Sequence, residues 1–195
     1  ADQGKRVHLV DLERGECLFK TTMERTVTAC CFSPLDQQML VADKFGNAFT
    51  LGTPQAPQDP ATWILGCISI ITDMLATKSQ IFTADRDERV RVSRLDKPYV
   101  IDQFLLEHGE YVACLALQPE PEADSALLTV GGGGEAFEWK TRQTGEWVQT
   151  RNWKTLLPKH PFLAIGLGKE QWAVIGDNSS AVSILDGESI EVEGI

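Results

Sequence analysis

No apolar run in the 195 residues approaches the roughly 18 that a membrane-spanning helix needs, so a helical span within this sequence is excluded. Basic charge is also scarce: the formal net charge is −10 and the pI about 4.8. A protein that grips nucleic acid chiefly by its own charge needs a basic footprint, so that class is disfavoured. Histidine occurs only as the scattered His8, His108 and His160, and no G-x-S-x-G or H-E-x-x-H pattern accompanies them. The five cysteines, Cys17, Cys30, Cys31, Cys67 and Cys114, form no C-x-x-C pair. They lie in apolar, strand-like contexts, which predicts buried reduced thiols and neither zinc nor disulfides. "GGGG" at Gly131–Gly134 leads into "EAFEW", a strand, and so lacks the helix N-terminus a phosphate loop requires. "GLGKE" near Gly168 lacks P-loop spacing. With no convergent chemistry in view, the sequence reads as a binding platform without metal or cofactor of its own.

The composition itself is ordinary: 43% hydrophobic and 24% charged residues fit a soluble globular chain. The opening "ADQGKRVHLVDL" carries neither an initiator Met nor a signal-peptide core, and the expectation is that the true start lies elsewhere.

What the chain does have is repetition. "VADKFGNAFTL" from Val41, "TADRDERVRVS" from Thr83, "TVGGGGEAFEW" from Thr129 and "IGDNSSAVSIL" from Ile175 align without gaps. Their spacing of about 45 residues is that of WD-type blades. Each reads as a short apolar strand, a turn rich in Gly, Asp or Asn, and a second strand, with further strands on either side. The class is therefore all-β, a WD-repeat β-propeller. Blades are expected at 27–65, 69–105, 111–152 and 161–193, with a partial one at 1–20, as an incomplete record of a larger ring or a four-bladed one.

In such repeats a His, a Ser or Thr, a turn Asp and a Trp share a hydrogen-bonded network. His108, Thr129 and Trp139 supply three of these in the third blade, with Gly133 at the place read for the Asp. The second blade offers Thr83 and Asp87, with Cys67 for the His and Ser93 for the Trp. These residues are read as cement between strands, since buried polar groups are normally satisfied internally. Trp63, Trp147, Trp153 and Trp172 are read as blade packing. "QPEPEAD" from Gln118 is read as a solvated acidic loop and "TPQAPQDP" from Thr53 as a Pro-rich connection.

One stretch resists the structural account. "FTADRDERVRVSR", Phe82 to Arg94, holds four arginines and three acids on an acidic chain. Period-two alternation puts Val90 and Val92 on one face and Arg89, Arg91 and Ser93 on the other. Two explanations fit: local neutralisation by Asp85, Asp87 and Glu88, with Asp87 as the turn aspartate, or an acidic partner met by the excess positive charge.

"LGCISIITD", "FTADRDERVRVS" and "YVIDQFLLEHGEYV" within Ser69–Leu117, with "DKFGN" one blade earlier, closely resemble the non-catalytic WD-repeat subunits of tRNA (guanine-N7-)-methyltransferases. Cys67 for His and Glu107 for Gly depart from the pattern. The resemblance implies a subunit that is no enzyme itself but binds and stabilises a catalytic methyltransferase forming N7-methylguanosine in the variable loop of tRNA. That partner would carry S-adenosylmethionine and most tRNA contacts. The resemblance also implies that Arg91 meets an acidic residue of the enzyme, with Arg89, Arg86 and Asp87 in support, and a nuclear, otherwise intracellular, location. The alternative is a general WD scaffold such as a substrate adaptor in ubiquitination; a direct nucleic-acid binder is a weaker one, opposed by the net charge.

Overall fold

The computed structural model describes residues 4–35, 38–52, 61–118, 126–153, 157, 160–168, 171–177, 181–186 and 189–194. The Pro-rich connection at 53–60 and nearly all of the acidic loop at 119–125 lie outside them. Among the described residues there are eighteen strands. They run β1 (Arg6–Asp11), β2 (Glu16–Thr22), β3 (Val27–Phe32), β4 (Met39–Asp43), β5 (Asn47–Leu51), β6 (Thr62–Gly66), β7 (Ile71–Ala76), β8 (Gln80–Asp85) and β9 (Val90–Arg94). Then follow β10 (Ile101–Leu105), β11 (Val112–Leu117), β12 (Ala126–Gly131), β13 (Ala136–Thr141), β14 (Trp147–Trp153), β15 (Pro161–Gly168), β16 (Gln171–Gly176), β17 (Ala181–Asp186) and β18 (Ser189–Gly194). They form a two-stranded sheet β1-β2 and four four-stranded sheets in which sequence neighbours pair: β3 to β6, β7 to β10, β11 to β14 and β15 to β18. The expected blades are thus present as sheets, with the partial one as β1-β2.

By compactness the chain divides into Ala1–Thr83 with Val92–Asp102, and Ala84–Arg91 with Gln103–Ile195. In the first unit, β4 is buried on both faces. Met39 and Val41 join Val7, Met23, Val27 and Leu51, while Leu40 and Ala42 join Ala48, Ile71, Met74 and Ile81. An interior strand that alternates between two apolar clusters must be apolar throughout, which is why "MLVA" shows no polar alternation. In the second unit Leu128, Val130, Ala136 and Trp153 pack with Ala164, Trp172, Val174 and Leu185. Each such aliphatic side chain stabilises by roughly 1.5 to 3 kcal/mol when fully buried. The sheets are therefore held by their faces as well as by strand pairing.

Trp147, Trp153 and Trp172 are buried as expected, but Trp63 is 57% exposed. The thiols also depart from expectation: only Cys114 is buried, and Cys17 and Cys30 are exposed. Alternation along β3 buries Ala29 and turns Cys30 to the other face. None of the five is in a disulfide. Desolvation, with smaller contributions from Asp73 and Cys30, pushes the Cys31 thiol up to about 12, so it stays protonated at neutral pH.

Strand register corrects the repeat alignment. Val41 pairs with Phe49 and Thr129 with Phe137, but Ser183 pairs with Val174, not Ile175. One more residue separates the paired positions of the fourth hairpin than those of the others, so the ungapped match is out of step by one along β16. A one-residue slip exchanges the faces of a strand, and Val174 and Trp172 take the buried positions.

Two glutamine side chains of the second unit, Gln103 and Gln118, bind main-chain atoms of other strands in that unit. The Gln103 amide donates to the Trp147 carbonyl at 2.7 Å and accepts from the Trp147 N–H at 2.9 Å. Gln118 donates to the Gln171 carbonyl and accepts from the Gly168 N–H, both at 2.8 Å.

Candidate functional site

The charged stretch folds as the turn between β8 and β9. Asp85, not Asp87, is its organising acid. Asp85 Oδ1 accepts the backbone N–H of Asp87 at 2.9 Å and of Arg89 at 3.1 Å. The same device recurs at Asp43, which accepts from Phe45 and Asn47, at 2.8 and 3.1 Å. Asx geometry of this kind satisfies turn N–H groups that lack a strand partner. The sequence could not separate two acids two residues apart; the hydrogen bonds do.

Arg89 closes the turn. Its Nε lies 3.2 Å from Asp85 Oδ2, and a terminal nitrogen lies 3.3 Å from Asp87 Oδ2. Local neutralisation is therefore real for this arginine. Glu88 occupies the left-handed region at φ 68°, a conformation of some cost for a residue with a Cβ. Arg86 is exposed at the tip and makes no ion pair with another described residue. Arg91 is only 8% exposed, between Val90 and Val92 at 0%. Alternation correctly separates their faces, but both faces of β9 are covered. What the turn presents to solvent is Arg86, Asp87 and Glu88, with Arg89 half-buried beside them.

The blade network is complete in the third repeat, by a substitution the sequence reading missed. His108 Nε2 lies 2.8 Å from Thr129 Oγ1, and Trp139 Nε1 donates to that oxygen at 3.0 Å. His108 Nδ1 lies 3.3 Å from Glu135 Oε1. With a neutral imidazole, the carboxylate, which can only accept, sets the order of donation as Trp139 to Thr129 to His108 to Glu135. Desolvation holds the His108 pKa below its ordinary value, against the opposing pull of Glu135 and Glu107. Residue 131, aligned with Asp43 and Asp85, is glycine, and a Cβ there would overlap the Glu135 carboxylate. The acid has moved from the first turn position to the fifth and fills the vacated space. Gly133, read as the lost aspartate, is not the position concerned. The signal was available: an acid appears four residues after one is lost, where the sister repeats carry Asn47 and Arg89.

In the second repeat the replacement is weaker. Cys67 Sγ stands 3.6 Å from Thr83 Oγ1, confirming Cys67 in the histidine place. The neighbouring "DKFGN" turn leans on this lead: the Cys67 N–H donates to the Gly46 carbonyl at 2.7 Å. A Cβ on Gly46, at φ +81°, would overlap the carbonyls of Cys67 and Ser69, so only glycine fits.

A fully buried acid, Glu138, also escaped sequence reasoning. It accepts from Thr150 Oγ1 at 2.8 Å, Trp172 Nε1 at 3.1 Å and Arg151 at 3.3 Å. A buried carboxylate needs such a shell, and none of the three donors is near it in sequence. These contacts make Glu138 part of the frame.

Four-stranded sheets packed face to face, with a His-Thr-Trp network joining strands, define a WD-repeat β-propeller, a class that serves as a platform. A solved structure agrees: the Myceliophteria thermophila Cps50 (Swd1) beta-propeller domain superposes with a TM-score of 0.77 at 12% identity, over 98% of this chain and 65% of that one. The family described as "tRNA methyltransferase TRM82 WD40 domain" matches residues 53–170, and the chain belongs to it. The tRNA (guanine-N(7)-)-methyltransferase non-catalytic subunit TRM82 of Eremothecium gossypii is 32% identical, over 77% of this chain and 35% of that protein. The human non-catalytic subunit WDR4 is also 32% identical, over 72% and 34%. The chain thus spans about a third of the length of the curated relatives it matches.

Proposed function

We propose that this chain is part of a non-catalytic subunit that binds and stabilises the enzyme forming N7-methylguanosine in tRNA. The family match across 53–170 carries this reading, together with relatives named as non-catalytic subunits of that methyltransferase. The charged β8–β9 turn lies inside the matched region and gives the reading a surface. Arg86, Asp87 and Glu88 are its exposed charges, Arg89 is braced by two aspartates, and Arg91, next in the strand, is buried. The catalytic partner would bring S-adenosylmethionine and most of the tRNA-binding charge, because a body of net charge −10 repels phosphate. A platform that binds only the competent form of an enzyme shifts its population toward that form. A nuclear location belongs to the same reading.

The test is co-purification of the intact protein with its partners, identified by mass spectrometry, and N7-guanosine methylation of tRNA by the recovered complex. Arg86→Glu is expected to weaken capture of the methyltransferase by about tenfold or more, as reversal of an interfacial charge does, with an unchanged circular dichroism melt. Arg91→Glu would lose capture too, but through a buried charge, and its melt must fall. Recovery of no methyltransferase with the unmodified protein would refute the reading.

A further inference from the structure

On the first unit an open cleft of about 470 Å³ is lined by β2, the segment following it, the end of β4, β5 and β6. Its residues include Thr22, Arg25, Asn47, Phe49 and Trp63. Trp63 is the one tryptophan expected in the core that stands 57% exposed, and its ring is held in place. Trp63 Nε1 donates to Asn47 Oδ1 at 3.3 Å, Asn47 in turn donates to Asp43, and the ring lies against Gly66, where a Cβ would touch it at 3.4 Å. An anchored, exposed indole is a stacking platform that needs little ordering when a ligand arrives.

Arg25 brings positive charge to the lining of this cleft, and Lys44 directly follows the lining residue Asp43. The Arg25 guanidinium lies 4.1 Å from the centre of the Phe45 ring and Lys44 Nζ lies 5.5 Å from it, while Phe45 itself is 56% exposed. Neither cation forms an ion pair with another described residue. Of the acids at the cleft, Asp43 is 2% exposed and engaged by the turn N–H groups, which leaves Glu24 as the exposed one. Two cations against one exposed acid make a local excess on an acidic protein, next to an aromatic face.

We propose that this cleft takes a short piece of single-stranded nucleic acid, with a base stacked on Trp63 and the adjoining phosphates on Arg25 and Lys44. Stacking is what separates this ligand from an acidic peptide. Carboxylates would use the two cations but leave the indole face unmatched, whereas every base has a π-face to set against it. The overall charge permits this because the site asks for two phosphate contacts, not a groove. The proposal does not rest on the methyltransferase reading.

The experiment uses the intact protein and fluorescein-labelled oligouridylate and oligothymidylate, followed by fluorescence anisotropy over a salt series. Saturable binding is expected, with log K falling against log salt at a slope of about −1.4 for two contacts to a single strand. Trp63→Ala should weaken binding by about tenfold, and Trp63→Phe should restore most of it. A double Arg25→Glu, Lys44→Glu variant should abolish the salt dependence. Equal binding of the two oligonucleotides supports recognition of base and phosphate alone; preference for the ribose form supports RNA. The proposal is overturned if binding is absent up to about 1 mM, if Trp63→Ala and Trp63→Phe both bind as the unmodified protein does, or if polyglutamate binds the same residues more tightly.

Discussion

Thr83 and Thr129 hold equivalent places in consecutive repeats and are both buried, at 1% and 0% exposure. Their hydroxyls have unequal duties. Thr129 Oγ1 serves His108 Nε2 at 2.8 Å and Trp139 Nε1 at 3.0 Å, and both partners are buried. Thr129→Val keeps the shape but orphans an imidazole nitrogen and an indole N–H, each costing roughly 1 to 3 kcal/mol. The expected loss is about 3 kcal/mol, or roughly 6 to 12 °C in melting temperature for a domain of this size. Thr83 faces only a thiol at 3.6 Å, a weak partner at a long distance. Thr83→Val should therefore cost less than about 1 kcal/mol. Urea denaturation of the two variants of the intact protein, at constant m-value, measures the difference directly. Equal losses would refute the view that the third repeat's network holds more stability than the second's.

Three further outcomes follow from the same geometry. His108 is held below its ordinary pKa of about 6.5, so the folded state binds fewer protons there than the unfolded one. Its contribution is present above that value and is lost as pH falls through the window beneath it; denaturation midpoints should drop on acidification in that window, and His108→Gln should flatten that drop. Gly131→Asp alone should cost about 2 kcal/mol by forcing two carboxylates together, while the double variant with Glu135→Asn, which restores the Asp43–Asn47 arrangement, should recover most of it; additive losses would contradict the swap. Glu138→Ala should cost about 3 kcal/mol by leaving Arg151 and the Trp172 N–H without their buried acceptor, and calorimetry showing a loss under 1 kcal/mol would place their partners elsewhere.

Strand positions were legible because Asp, Gly and Asn mark turns chemically, and the apolar runs between them are too short for helices. β3, for example, spans the residues expected of it, Val27–Phe32. The failures have separate causes. An extra residue between paired positions leaves no trace in an ungapped match, and so β16 was read out of register. Period two assigns side chains to faces but does not say whether each face is covered, so the burial of Arg91 does not follow from it. Adjacent acids carry the same propensity, and only hydrogen-bond geometry distinguishes Asp85 from Asp87. Glu138 acts across the fold, at separations where local pattern says nothing, whereas Glu135 is legible in the repeat, four positions after the missing acid. Residue type alone assigns Trp63 to the core and does not separate it from Trp147 and Trp153, which also lie on the last strand of their sheet but are buried.

The two glutamine fasteners bear on how such a chain can drift in evolution. Gln103 and Gln118 address only the N–H and C=O groups of Trp147, Gly168 and Gln171. A seam sewn to main-chain atoms is blind to the side chains of the strand it holds. The clamp itself therefore sets no demand on the side chains of the strands it holds, beyond excluding a proline that would remove the N–H. That leaves room for a blade to lose its histidine, its tryptophan or its turn aspartate one at a time and still keep its neighbours.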